Sequence, residues 1–130
     1  MYRALTHGIQ VTVEPFYLAE ESDPQANQFL WAYTVEIVNL GQETVRLRAR
    51  HWRIVDALGR EEEVRGLGVV GEQPVLAPGE RFEYTSGCPL RTPSGMMRGT
   101  YEMEDLEGGR FDIAIPAFSL DIPGEQRSIN

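Results

Sequence analysis

The sequence predicts an all-β fold, a sandwich of about seven short antiparallel strands. Three observations carry this. Apolar residues recur at every second position along most of the chain, the spacing of strands half-buried against a core. Turn-forming residues punctuate these runs at short intervals. No window shows the spacing of a long amphipathic helix.

The elements follow in order. Ile9, Val11 and Val13 alternate with Gln10, Thr12 and Glu14. Trp31, Tyr33, Val35 and Ile37 alternate with Ala32, Thr34 and Glu36. Val45, Leu47 and Ala49 alternate with Arg46, Arg48 and Arg50, after which the apolar phase moves to Trp52 and Ile54. A phase change inside one strand predicts a bulge, here near Arg50 and His51. Phe82 and Tyr84 form the next run. Met97, Tyr101 and Met103 share a parity with Gly99, and Phe111, Ile113 and Ile115 form the last. Turn signals between them are Ser22-Asp23-Pro24, Asn39-Leu40-Gly41, Leu58-Gly59, Pro78-Gly79, Pro93-Ser94-Gly95 and Gly108-Gly109. Alternation alone does not separate two stacked sheets from a closed barrel. One domain over residues 1–122 is expected, with a flexible tail at 123–130.

The chain has 130 residues, 42% hydrophobic and 25% charged, enough for a core without disulfides or metal. Its formal net charge is −8, which disfavours nucleic acid and anionic membrane as partners. All 12 basic residues are arginine, so lysine chemistry is excluded. With Cys88 alone, an internal disulfide and a cysteine zinc site are excluded too. The opening MYRALTHGIQ lacks the apolar run of a signal peptide, and no stretch has transmembrane length. The expected compartment is the cytoplasm.

One stretch raises a functional question. In RGLGVVGEQP, Gly66, Gly68 and Gly71 spell G-x-G-x-x-G, the spelling of a dinucleotide-binding loop. That loop needs a helix after the glycines, whose N-terminus receives the pyrophosphate. Here Pro74 and Ala77-Pro78-Gly79 follow at once. The expectation is instead a long loop from Gly66 to Gly79, pinned by Val69, Val70, Val75 and Leu76. Glycines in turns can still aim N–H groups at an anion. Arg65, Gly66, Gly68 and Gly71 are therefore candidate phosphate-binding residues.

The chain resembles the ApaG family over about Thr6 to Asp121. The resemblance rests on GLGVVGEQPVLAPGERFEYTSGCPL from Gly66, TPSGMMRGTYEM from Thr92 and FDIAIPAFSL from Phe111. It implies a fibronectin type III-like, immunoglobulin-like β-sandwich. The spacing Leu76-x-Pro78-x-x-x-Phe82 resembles the corner of such domains, where a tyrosine hydroxyl usually caps the turn; Phe82 has none. The resemblance also implies a link to nucleotide polyphosphates or to cobalt and magnesium homeostasis. It implies an interaction domain that recurs inside larger proteins. It supplies no catalytic residues.

The remaining chemistry is sparse. His7 and His51 have no metal-ligand spacing, so no metal site is expected. No cofactor is expected either, beyond weak, water-mediated Mg²⁺ at Glu61-Glu62-Glu63. Cys88, just before Pro89, reads as a small buried residue, although His51 could approach it in space. Arg46, Arg48 and Arg50 read as one face of a strand. They are a candidate interaction surface for an acidic partner, or else they pair with Glu36 or another outward carboxylate. If every run crosses the sandwich, the glycine loop shares one end with Asn39–Thr44 and Asp105–Arg110. The loop Gly87–Gly95 then shares the other end with Ala19–Gln28 and Ala57–Arg60. Two functions fit. The first is a non-enzymatic module that binds a protein partner, with a homodimer through exposed edges also open. The alternative is a binder of pyrophosphate or nucleotide polyphosphate at the glycine loop, with or without magnesium.

Overall fold

A computed structural model of the chain describes residues 1–124. These contain nine strands: β1 (Tyr2–Thr6), β2 (Ile9–Tyr17), β3 (Phe29–Asn39), β4 (Val45–Asp56), β5 (Glu61–Leu67), β6 (Val75–Leu76), β7 (Arg81–Leu90), β8 (Gly95–Asp105) and β9 (Arg110–Leu120). One sheet has the order β1-β2-β3-β7. The other has β5-β4-β8-β9, with β6 pairing β4 beyond the end of β5. All pairs are antiparallel. The fold is an all-β, two-sheet sandwich, and the barrel alternative falls away.

The alternation expected from the sequence fills the space between the sheets. Val11, Val13, Trp31, Val35 and Ile37 from one sheet meet Leu47, Trp52, Met97, Tyr101, Met103, Ile113 and Phe118 from the other. Trp52 lies at the centre, 5.3 Å from the ring of Tyr33 and 5.9 Å from that of Phe118, edge-on to both. Each such side chain contributes about 1.5–3 kcal/mol by leaving water. Gly99 sits opposite Trp52, and a Cβ there would run into the His51 carbonyl oxygen.

The strand count exceeds the expected seven for a physical reason. β1, β5 and β6 are edge elements with little apolar alternation. β5 opens with three glutamates, a composition that keeps an edge from pairing with other chains. The bulge in β4 also lies earlier than expected. Leu47 faces Met103 and Ala49 faces Glu102, so the extra residue is Arg48, not Arg50 or His51. The β8–β9 pair carries a second bulge, which the expected elements do not include. Met97 faces Phe118 but Gly99 faces Ile115, so Pro116 and Ala117 together oppose Arg98. Proline has no N–H to lose from the ladder there. The apolar phase of β9 accordingly moves from Ile113 and Ile115 to Phe118 and Leu120.

Asn39 does at the β6–β7 corner what the missing tyrosine hydroxyl would have done. Its buried amide donates to the carbonyls of Glu43 (2.7 Å) and Leu76 (2.9 Å), and its carbonyl oxygen accepts from Gly41 N (2.9 Å). Phe82 simply packs beside the core. At the other terminus the Trp31 indole donates to the Asp121 carbonyl at 2.8 Å, and Ile122 packs against the core. Of the expected tail at 123–130, residues 125–130 lie outside the described residues.

The two long sides of the sandwich differ. On one, side chains tie the sheets together: Ala114 N donates to Thr6 Oγ1 at 3.2 Å and Ser119 N to the Tyr2 hydroxyl at 3.4 Å. On the other, β5 and β7 are the sheet edges, with no ladder between them.

Candidate functional site

The glycine motif is an excursion in an edge strand. β5 pairs β4 as far as Leu67, and β6 resumes the same edge at Val75. Between them the chain leaves β4 opposite the Arg48 bulge and folds into a tight hairpin. Val69 and Glu72 exchange backbone hydrogen bonds of 2.8 and 2.9 Å around Val70 and Gly71. Both central residues have positive φ, 43° and 82°, which marks a type I′ turn. Gly68, at φ 62°, is required: a Cβ there would overlap the Glu72 carbonyl. Arg48 O accepts from Gly68 N (2.8 Å) and from Gln73 Nε2 (3.0 Å), so the two irregularities hold each other.

This geometry separates the four candidate phosphate residues. Arg65 faces outward and bonds Glu63 at 3.3 Å. Gly66 faces inward, where a Cβ would lie 2.7 Å from the Arg50 guanidinium. Gly71 is at the hairpin tip. The N–H groups of Gly68, Val69 and Glu72 already donate to protein carbonyls. Of the four expected pins, Val69 and Leu76 are buried, whereas Val70 and Val75 are exposed.

Arg46, Arg48 and Arg50 do not share a face, which corrects the stripe read from the sequence. The bulge at Arg48 reverses the parity after it. Arg50 therefore stands opposite Tyr101 and Gly66 on the inner face. Its Nη1 donates to the carbonyls of Leu67 (3.0 Å) and Gly68 (2.9 Å), tying the excursion from inside. Arg46 Nε donates to the Gln73 carbonyl at 3.2 Å. Arg48 pairs outward with Glu104 at 3.7 Å, while Glu36 pairs with Arg81.

Cys88, Tyr33, Tyr84 and Tyr101 are buried in the core. Burial pushes the Cys88 thiol up to about 12, with the Glu62 charge adding to the effect. His51 is no base for it: His51 faces out beside Glu63, 3.2 Å away, on the other sheet. Tyr84 and Tyr101 share a hydrogen bond across the core. Burial raises the ionisation of both, and of Tyr33. Alternation in β5 sends Glu61 and Glu63 outward to Arg53 and Glu62 inward, so the three carboxylates do not converge on an ion.

A cleft of about 1240 Å³ lies at the end opposite the glycine loop. Three connections surround it: Glu21 and Ala26–Gln28, Ala57–Arg60, and Pro89–Pro93. Phe29, Leu30, Ile54 and Leu90 give it apolar walls. Glu21, Asp56, Glu61 and Glu62 outnumber Arg60 and Arg91 around it. Thr92 braces the mouth, accepting from Ala57 N at 3.1 Å and donating to Ser94 O at 2.8 Å. The loops thus group by ends as strand parity required. Sequence reasoning did not single out this cleft. Its walls come from strand ends and turns, with no motif of their own.

A family model described as the ApaG domain matches residues 19–105. A protein named ApaG from Paramagnetospirillum magneticum is 63% identical over 130 residues, covering both chains completely. The chain belongs to the ApaG family. A crystal structure of a Bordetella pertussis protein described as ApaA superposes with a TM-score of 0.87 at 52% identity, covering 90% of this chain and 95% of that one. A second X-ray structure gives 0.87 at 41% identity, covering 98% and 96%. Both agree with the two-sheet architecture. Among the described residues no helix is long and apolar enough to cross a membrane.

Proposed function

We propose that this ApaG-family protein is a non-enzymatic binding module that docks a segment of a partner protein in the cleft between its sheet edges. One observation carries the reading: the sandwich is tied shut along β1 and β9 but opens between β5 and β7 into a cleft with apolar walls and a charged rim. A concavity of that make-up suits a chain segment with apolar anchors and basic flanks. Cys88, Tyr33, Tyr84 and Tyr101 are buried, which favours binding over catalysis. A role near nucleotide polyphosphates or divalent metals rests on the family resemblance alone. The phosphate reading of the glycine loop has less behind it, because its candidate groups point in different directions.

Site-specific photo-crosslinking in cells tests the cleft. Crosslinkers at Leu58 and Arg91, beside it, should capture a discrete partner that a crosslinker at Leu106, at the other end, does not. Glu62→Arg, which reverses a carboxylate of the cleft lining, should abolish capture from Leu58. Equal capture from all three positions, or capture indifferent to Glu62→Arg, would overturn the reading.

A further inference from the structure

The outer face of the second sheet is a ladder of paired charges with one rung left open. Arg53 bonds Glu61 at 3.1 Å and Glu63 at 3.3 Å. Arg65 bonds Glu63, Arg110 bonds Glu102 at 2.6 Å, and Arg48 meets Glu104. Arg46 bonds the Gln73 carbonyl rather than a carboxylate, and among the described residues Arg98 has neither. It stands directly opposite Arg53, a like-charge pair that destabilises a sheet. Among the described residues no carboxylate pairs with it. The cause is the β9 bulge: Arg98 has no single residue facing it on β9, only the exposed Ala117 beside Pro116. Glu61 and Glu63 relieve Arg53, but in a chain of 20 acidic and 12 basic residues Arg98 is left without a carboxylate.

The same bulge opens a groove of about 540 Å³ around the pair. Small residues, Ser94, Gly95, Ala117 and Ser119, leave the space. Val55 and Met96 supply apolar surface, and Met96 is 53% exposed. An exposed, unbranched methionine adapts to varied apolar partners. The groove lies across the Asp56–Ala57 turn from the cleft, since those two residues line both.

We propose that this groove docks an acidic peptide segment of a partner, with a carboxylate side chain seated on Arg98 and an apolar neighbour on Met96 and Val55. The incoming carboxylate completes the rung that the bulge removed. An arginine fork matches a carboxylate in two parallel hydrogen bonds, which gives geometric as well as charge selectivity. The cleft favours a basic segment, so the two surfaces select opposite charges and are tested separately.

The probe is a short fluorescein-labelled peptide alternating aspartate with leucine, read by anisotropy and by amide NMR shifts. Saturable binding is expected, with shifts at Ser94–Arg98 and Ala117–Ser119. Arg98→Glu should weaken it by roughly tenfold or more, and Arg3→Ala, on the other sheet, should not. The same Arg98→Glu removes the like charge opposite Arg53 and should not lower Tm. A variant that keeps its Tm and has lost binding separates docking from folding. The proposal is overturned if the peptide shows no saturable binding at millimolar concentration. It is equally overturned if acetate or a lysine–leucine peptide binds as well, if Arg98→Glu binds unchanged, or if that variant melts lower.

Discussion

Val70 holds a left-handed backbone, φ 43°, with a β-branched side chain that is 55% exposed. That combination is strained, because the branched Cβ crowds the neighbouring carbonyl. The first centre of a type I′ turn favours asparagine or glycine. Val70→Asn keeps the turn and removes the strain. It should stabilise the fold by about 1 kcal/mol, seen as a higher urea midpoint with an unchanged m-value. A lower midpoint would mean that the valine side chain makes a contact that outweighs the strain. Gly68 and Gly71 look alike in the sequence but differ in what surrounds them. A Cβ at Gly68 meets the Glu72 carbonyl, while one at Gly71 meets open space. Spelling alone made them partners in a motif; the hairpin makes one a tight crossing and the other a tip.

At the scale of elements, the glycine excursion and the β4 bulge form one unit, and Gln73 is its joint. Its side-chain amide donates to Arg48 O at 3.0 Å, and its side-chain carbonyl accepts from Arg48 Nη1 at 3.3 Å. Gln73→Ala removes both and leaves the neighbouring ladder intact. Hydrogen exchange of the Gly68 and Val69 amides should quicken by roughly five- to tenfold, while β3 stays protected. Uniform quickening across both sheets would show that the joint serves the whole fold. The central strands were legible because they sit between a buried and a solvated face, so their side chains alternate strictly. The edges were not. β5 carries charge where a central strand carries valine, and β6 is too short to alternate. The β4 phase change was visible, but its position was not. Arg48 and Arg50 are both charged, and only the pairing with Glu102 and Tyr101 tells which is the extra residue. The Ile115-to-Phe118 phase change was written in the sequence as well, beside Pro116. With it would have come the open rung at Arg98.

For the whole molecule, the sandwich encloses ionisable groups that it holds neutral, and this fixes how stability responds to alkali. Burial lifts the Cys88 thiol to about 12 in the folded chain, whereas an unfolded thiol ionises near about 8.5. A raised acid of this kind favours the fold while it is protonated. Its contribution is complete below the unfolded value. It declines as pH climbs past that value, because only the unfolded chain can lose the proton, and it is gone once pH passes the folded value. Each such group gives a slope of about −1.4 kcal/mol per pH unit inside its window. Tyr33, Tyr84 and Tyr101 are raised for the same reason and join above the ordinary tyrosine range. Stability should therefore hold level to about pH 8.5 and then fall with a slope that steepens above about pH 10. Urea denaturation at stepped pH measures this directly. Cys88→Ala should delay the onset to the tyrosine range without removing the steep part. An unchanged onset would mean that the thiol ionises inside the fold, and the core around it would then be more polar than Trp31 and Leu90 make it.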